Sequence, residues 1–257
     1  MLFCLDVGNS QIYGGVFAAD GALRFTFRRT SSARASSDEF GLFFRAVLRE
    51  NGVDPSAIQS VAICTVVPDA IHSLRNCFLK YFQLDPFLLQ PGVKTGLKIR
   101  YRNPLEVGAD KIANAIGAAD RFPRQNIVIV DFGTATTLCA VNAECEYLGG
   151  IITPGVQLSM AALDANTARL PVVEIRKPSA ILGRSTVESI QSGLYHGTLA
   201  TVRTLAGAIA LEQFNGHCPV IVGTGGFARL YEDENLFDVF IPELPLLGLR
   251  LAIAKMT

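Results

Sequence analysis

The sequence predicts an α/β protein made of two similar halves, and three observations carry that expectation. An apolar run, an acid, a glycine turn and a second apolar run open the chain around Asp6 and return around Asp131, 125 positions later. Each copy is followed further on by a fully apolar strand that runs into a turn and a helix, at 60–82 and at 219–231. The copies also agree in detail. Counting from the acid, glycine stands two residues on (Gly8, Gly133), a small polar residue three on (Asn9, Thr134) and valine ten on (Val16, Val141).

Residues 2–17, LFCLDVGNSQIYGGVF, read as a β-hairpin, because Leu2, Phe3, Cys4, Leu5 and Val7 suit a buried strand and Gly8, Asn9 and Ser10 are turn formers. Residues 22–29 alternate as an outer strand with Leu23, Phe25 and Phe27 on one face. Ser36, Ser37 and Asp38 offer an N-cap for a helix through about Asn51, with Phe40, Phe43, Phe44, Val47 and Leu48 at helical spacing and Gly52 as a stop. The apolar run 60–67 is a buried strand, Pro68 opens a helix to about Phe82, and 86–90 is a short strand before the irregular PGVKTG. An alanine-rich helix then runs from about Gly108 to Arg121. In the second half, 126–142 repeats the hairpin, 147–155 adds a third strand, and a helix follows near 156–165. A loop through Pro171 and Pro178 leads to a long helix from Thr186 to about Phe214. Strand, glycine turn and helix over 219–231, and a leucine-rich helix packed on the core, close the chain.

At 257 residues the chain can bury a sizeable core as one large domain or two halves, expected at 1–121 and 122–257. Its residues are 49% hydrophobic and 18% charged, and 23 lysines and arginines balance 23 aspartates and glutamates without a basic run, which argues against nucleic acid and anionic membrane as partners. No run approaches the ~18 apolar residues of a membrane span, and Asp6 interrupts the place of a signal peptide's apolar stretch, so a cytoplasmic protein is expected. The six cysteines lack CxxC spacing and read as reduced core residues. His72, His196 and His217 show no spacing for metal binding or nucleophile activation.

Chemistry concentrates at the acids. A carboxylate at the end of an apolar strand is costly to bury unless it faces a cation, a donor or a cleft, and Asp6 taken alone reads equally as a turn cap or a cation site. Two such hairpins with a late GTGG turn suit an ATP site between duplicated halves: the tips offer NH and hydroxyl donors to phosphate and the carboxylates hold cations. There is no GxxxxGK. GTGGFA (Gly223 to Ala228) matches a dinucleotide fingerprint formally, but too little chain follows to complete such a unit, and an adenine or ribose wall is the better reading. Asp110, near a helix start, is either a base for a hydroxyl or an acid favoured by the helix dipole. Asp131 reads also as a strand-end turn residue, and Tyr101 as a half-buried strand aromatic.

The blocks DVGNS, YRNPLEVGADK, VDFGTATT, GGIITPG, GRST and VGTGG, in this order across the whole chain, resemble type III pantothenate kinases. The resemblance implies an α/β fold of duplicated actin-like (ribonuclease H-like) halves, each a mixed sheet with flanking helices, with a nucleotide cleft between them. It implies transfer of the ATP γ-phosphoryl group to the primary hydroxyl of pantothenate, the first step of coenzyme A synthesis, by a cytoplasmic homodimer using Mg²⁺ and a monovalent cation, K⁺ or NH₄⁺. Residue by residue, ATP would lie on Asp6, Val7, Gly8, Asn9, Ser10, Gln11, Ile12 and Tyr13, with Gly133, Thr134 and Gly225 from the second half. Asp6 would help place Mg²⁺ indirectly, Asp131 would bind the monovalent cation, and Asp110 would be the general base. Tyr101, Gly108, Ala109, Asp110, Lys111 and Thr186 would hold pantothenate. A regulatory protein on the same ATP-binding fold, or a kinase of another small hydroxylated substrate, are the rival readings, because fold and phosphate motifs do not fix the acceptor.

One position departs from the family pattern. Where the family has GxDR, with arginine pairing the pantothenate carboxylate, this chain has Lys111. Lysine keeps the charge but loses the planar two-pronged donor, and a raised Michaelis constant for pantothenate is expected.

Overall fold

The computed structural model describes residues 1–32, 34–167 and 169–256. Two compact units emerge, and neither is continuous in sequence: Met1–Leu97, Arg102–Gly117 and Leu244–Thr257 form the first, Lys98–Tyr101 and Ala118–Glu243 the second. Sequence order cuts the chain at 121/122 and puts the last helix in the second half, whereas compactness assigns that helix to the first unit.

The first unit is a five-stranded sheet. β1 (Leu2–Val7) and β2 (Gln11–Phe17) form the expected hairpin, β3 (Leu23–Thr30) pairs antiparallel with β2, and α1 (Ser37–Glu50) follows. Helix α1 starts where the sequence offers a cap: Ser36 Oγ accepts the Glu39 amide at 3.2 Å and the Glu39 carboxylate accepts the Ser36 amide at 2.8 Å, a reciprocal capping box. β4 (Ser60–Thr65) runs parallel to β1, α2 (Ala70–Phe82) follows it, and β5 (Phe87–Leu89) completes the order β3-β2-β1-β4-β5. Alternation along β1 sends Phe3, Leu5 and Val7 to one face, where they meet Phe40, Phe44, Leu74 and Phe78 of the two helices.

The second unit repeats that order. β6 (Lys98–Ile99) lies at the edge of its sheet, and α3 (Ala109–Arg121) precedes β7 (Ile127–Phe132), β8 (Ala135–Val141) and β9 (Glu146–Pro154). α4 (Val156–Ala165), the long α5 (Thr186–Gln213), β10 (Val220–Thr224), β11 (Val239–Phe240) and α6 (Leu244–Ala254) follow. The six-stranded order is β11-β10-β7-β8-β9-β6. Apart from β6 this is the first sheet's arrangement again: an antiparallel meander whose first strand gains a parallel neighbour on its free side. Val128, Val130 and Phe132 pack with Tyr195, Leu199 and Val202 of α5.

Helix α6 belongs with α3 in the first unit. Gly117 lets the two backbones approach, because a Cβ there would lie 2.8 Å from the Leu244 carbonyl oxygen, and a Cβ on Gly248 would overlap the Ala113 carbonyl.

The structure departs from the expected elements in three places. The helix expected to end the strand–turn–helix unit 219–231, as the counterpart of α2, is instead a 3₁₀ segment over Ala228–Glu234 that ends at Asn235 with φ 49°. The run Glu232, Asp233, Glu234 puts three carboxylates at the end where the helix dipole disfavours them, and a short 3₁₀ turn suffices to bring Tyr231 between Phe132 and Tyr195, with ring centroids 5.0 and 5.1 Å away. The other two departures are β6 and β11, two-residue strands too short to show periodicity.

Candidate active site

Strand β1 carries Asp6 to the carboxyl end of the first sheet. Gly8 closes the turn by donating its amide to the Gln11 carbonyl at 3.0 Å, leaving Asn9, Ser10 and Gln11 exposed at the tip. Val7 and Ile12 have their side chains in the core, so these two positions offer a ligand only backbone groups. Asp6 and Tyr13 are cross-strand partners on the opposite face from Val7 and Ile12.

The parallel pairing of β1 with β4 sets Cys64 beside Asp6, and the Cys64 thiol donates to Asp6 Oδ1 at 3.3 Å. Burial, and then the neighbouring charges of Asp6 and Asp110, hold that thiol well above its ordinary value, so it stays a protonated donor. Cys64 thus stands beside one of the acids that sequence reasoning singled out, Asp6, and feels the charge of the other, Asp110. Cys64 itself was expected to be plain core; its place beside Asp6 depends on strand pairing across 58 residues, and no local pattern announces it.

The second acid comes from the start of α3. Asn103 Oδ1 accepts the Leu105 amide at 3.2 Å and starts a 3₁₀ turn over Pro104–Glu106; Val107 buries itself, and the Gly108 carbonyl accepts the amides of Lys111 and Ile112, both at 3.1 Å. Asp110 thus lies in the first helical turn, where the dipole favours a carboxylate. Lys111 Nζ donates to Asp110 Oδ2 at 3.3 Å, while Asp110 Oδ1 is buried and has no hydrogen-bond partner among the described residues. That oxygen curls back over Gly108, in the space a Cβ at 108 would take, and Lys111 Nζ stands 3.5 Å from the same point. A carboxylate with one oxygen steadied by a cation and the other buried and unmet is fitted to accept a proton from a hydroxyl group.

In the second unit, β7 brings Asp131 to the corresponding place. The Gly133 amide donates to the Ala135 carbonyl at 3.1 Å, closing the hairpin below the exposed Thr134. β10 pairs Thr224 with Asp131, and the next residue, Gly225, turns with φ +92° so that a Cβ would lie 2.5 Å from Asp131 Oδ1 and 2.6 Å from the Phe132 nitrogen. The position read as an adenine or ribose wall is therefore also the backbone that packs directly on the Asp131 carboxylate.

Thr186 is the first residue of α5, behind Ser185, whose hydroxyl accepts the Glu188 amide at 3.2 Å. It lines a cavity of about 1340 Å³ with Leu158, Leu163, Ile190 and Leu194. Tyr101 follows β6, is 37% exposed and holds its ring 6.4 Å from Tyr147. The expected substrate residues Gly108, Ala109, Asp110 and Lys111 thus stand together in the first unit, and Tyr101 and Thr186 belong to the second. Among the described residues, no group of three or more His, Cys, Asp or Glu side chains could hold a metal ion.

The sequence model of a family described as type III pantothenate kinase matches residues 2–208. A type III pantothenate kinase of Legionella pneumophila is 55% identical over 252 residues, covering 98% of both chains, and one of Elusimicrobium minutum is 45% identical over 255 residues, covering 99% of this chain and 98% of its own. Among solved structures, a Campylobacter jejuni protein described as a Baf family transcriptional activator superposes with a TM-score of 0.62 at 17% identity, covering 99% of this chain and 98% of its own. An activator of 2-hydroxyisocaproyl-CoA dehydratase from Clostridium difficile superposes with a TM-score of 0.53 at 10% identity, covering 99% and 96%. At such identities these structures speak for the fold alone, the actin-like fold of sugar kinases and ATPases.

Proposed function

Because the chain belongs to the type III pantothenate kinase family, a family of ATP-dependent phosphotransferases that make 4'-phosphopantothenate, we propose that Asp110 is its general base and that the β1–β2 hairpin receives the ATP phosphates. The observation that carries the base assignment is the buried, unpartnered Oδ1 of Asp110 beside a lysine-steadied Oδ2. The primary hydroxyl of pantothenate attacks the γ-phosphorus in line, its proton passes to Asp110 Oδ1, and ADP leaves with the bridging oxygen. Phosphoryl transfer needs positioning and charge neutralisation above all, and Lys111 contributes by pairing the pantothenate carboxylate while holding Asp110 in place.

Asn9, Ser10 and Thr134 donate to phosphate oxygens, and Asp6 would help to hold Mg²⁺, which when bound would neutralise phosphate charge. Asp131 is proposed to hold a monovalent cation; Gly225 brings backbone without a Cβ against its Oδ1, where a side chain would take the space next to that oxygen. The reading has the enzyme acting in the cytoplasm; no helix among the described residues is long and apolar enough to cross a membrane. It also has the enzyme acting as a homodimer, a role suited to the exposed Leu158, Ile181, Leu182 and Val187 of the second unit.

Coupled detection of ADP release, with pantothenate, ATP, Mg²⁺ and K⁺, tests the base assignment. Asp110→Asn should cut turnover by about 10²- to 10⁴-fold with an unchanged thermal midpoint, and retained turnover would remove Asp110 from that role.

A further inference from the structure

Residues 2–17 contain one charged side chain, Asp6, and the second hairpin, 126–142, contains one, Asp131. Both are negative. A nucleoside triphosphate received on such hairpins brings more negative charge than one divalent ion cancels, and cationic side chains must reach it from other elements.

The register of the first sheet identifies one. Asp6 pairs with Tyr13 across β1 and β2, and Tyr13 pairs with Arg28 across β2 and β3. Directly opposed residues in antiparallel strands point to the same face, so Asp6, Tyr13 and Arg28 form a cross-strand row that Cys64 extends on the far side. Arg29, next in sequence, goes to the other face, where its guanidinium lies over Phe40 at 4.7 Å and Phe43 at 5.4 Å under α1. Two adjacent arginines thus have different surroundings: one is used in packing, and the other stands in the row of Asp6.

The Arg28 guanidinium lies 4.1 Å above the centre of the Tyr13 ring and donates from Nη1 to Gln11 Oε1 at 3.3 Å. Gln11 is the β2 residue nearest the turn, two before Tyr13, so the side chain leans from its own place in the row toward the hairpin tip. Among the described residues no carboxylate stands within ion-pair distance of it. A fixed, exposed fork whose charge is not cancelled by a carboxylate, aimed at a tip of hydroxyl and amide donors, is suited to phosphate oxygens. Stacking on Tyr13 and the bond to Gln11 restrict its rotamers before a ligand arrives, which lowers the ordering cost of binding.

We propose that Arg28 is a nucleotide-binding residue that contacts the phosphate chain of ATP. The proposal rests on the reading that the β1–β2 hairpin receives those phosphates, and it adds an edge-strand cation to that site.

Calorimetry on the full chain with Mg²⁺ and the β,γ-imido analogue of ATP, and separately with adenosine, tests it. Arg28→Gln should weaken binding of the analogue about 5- to 20-fold, as loss of a partly exposed charge-assisted contact does, while changing adenosine affinity less than about twofold. In steady state the KM for ATP should rise and that for pantothenate should not. Equal losses for analogue and adenosine, or no loss for either, would overturn the proposal. Arg28→Met, whose stem still covers Tyr13, carries the comparison if the glutamine variant fails to fold. Asn9→Ala separates the two levels of inference: if it weakens the analogue while the Arg28 variants do not, Arg28 alone is misassigned, and if neither matters the hairpin reading falls as well.

Discussion

Lys111→Arg should make pantothenate bind more tightly. The Lys111 ammonium donates to Asp110 Oδ2 at 3.3 Å, and the two side chains are 20% and 25% exposed. On the proposed reading it would meet a substrate carboxylate from that place as a point charge, whereas a guanidinium could present two parallel donors. One additional charge-assisted hydrogen bond in a partly screened site is worth about 1–2 kcal/mol, which converts to a KM lower by about 5- to 30-fold. The assay is initial-rate ADP release with pantothenate varied at saturating ATP, Mg²⁺ and K⁺. Because arginine keeps a cation beside Asp110, kcat should stay within about threefold. A KM that is unchanged or higher in a folded Lys111→Arg enzyme refutes the reasoning, and a preserved KM with a collapsed kcat would mean that the fork has captured Asp110 instead of the substrate.

Gly225→Ala combines a left-handed backbone position, φ +92°, with a Cβ 2.5 Å from Asp131 Oδ1 and 2.6 Å from a backbone nitrogen that cannot swing aside. A loss of about 2–4 kcal/mol in stability by denaturant titration is expected, together with a raised K⁺ concentration for half-maximal activity; normal K⁺ dependence would count against Asp131 as the cation ligand. Cys4, Cys64, Cys77 and Cys139 are buried and Cys218 is exposed, so a thiol reagent should modify Cys218 rapidly and the buried four only on unfolding. Burial pushes the Cys77 thiol from 9.0 up to about 12. Unfolded thiols ionise above about pH 9 while this one does not, so its contribution is intact below pH 9 and is lost as pH rises toward 12, by up to about 1.4 kcal/mol per pH unit. Denaturant midpoints at pH 8 to 10.5 check this, and Cys77→Ala should flatten the decline.

The elements that sequence foretold are those whose signal is local. Alternation and turn residues define β1–β2 and β7–β8, and the run Ser36, Ser37, Asp38 marks the start of α1. The matching strand orders of the two sheets follow from the repeated pattern around Asp6 and Asp131. What escaped depends on pairing between distant segments. Cys64 reaches Asp6 only through a parallel register, and Arg28 reaches the same row only through two successive antiparallel registers. Strands of two residues, such as β6 and β11, carry no period at all, and their formation is decided by the edge they meet. The cavity beside Thr186 is assembled from α4, the loop before α5 and α5 itself, so its apolar residues read in sequence as ordinary helix stripes.

The docking of α6 in the first unit has a consequence for biogenesis. During synthesis β1 to β5 leave the ribosome early, yet the helix whose glycine face fits against α3 is translated only after all of residues 118–243. The early sheet must therefore wait with one side lacking that partner, and the β-rich second unit can mature first, although its coding sequence comes later. Ribosome-bound intermediates should gain protease resistance in the late segment before the early one, a reversal of the usual amino-terminal-first order. Deleting 244–257 would then leave a chain whose second unit folds while the sheet bearing Asp6 stays unfinished, and chaperones would hold it longest at that stage.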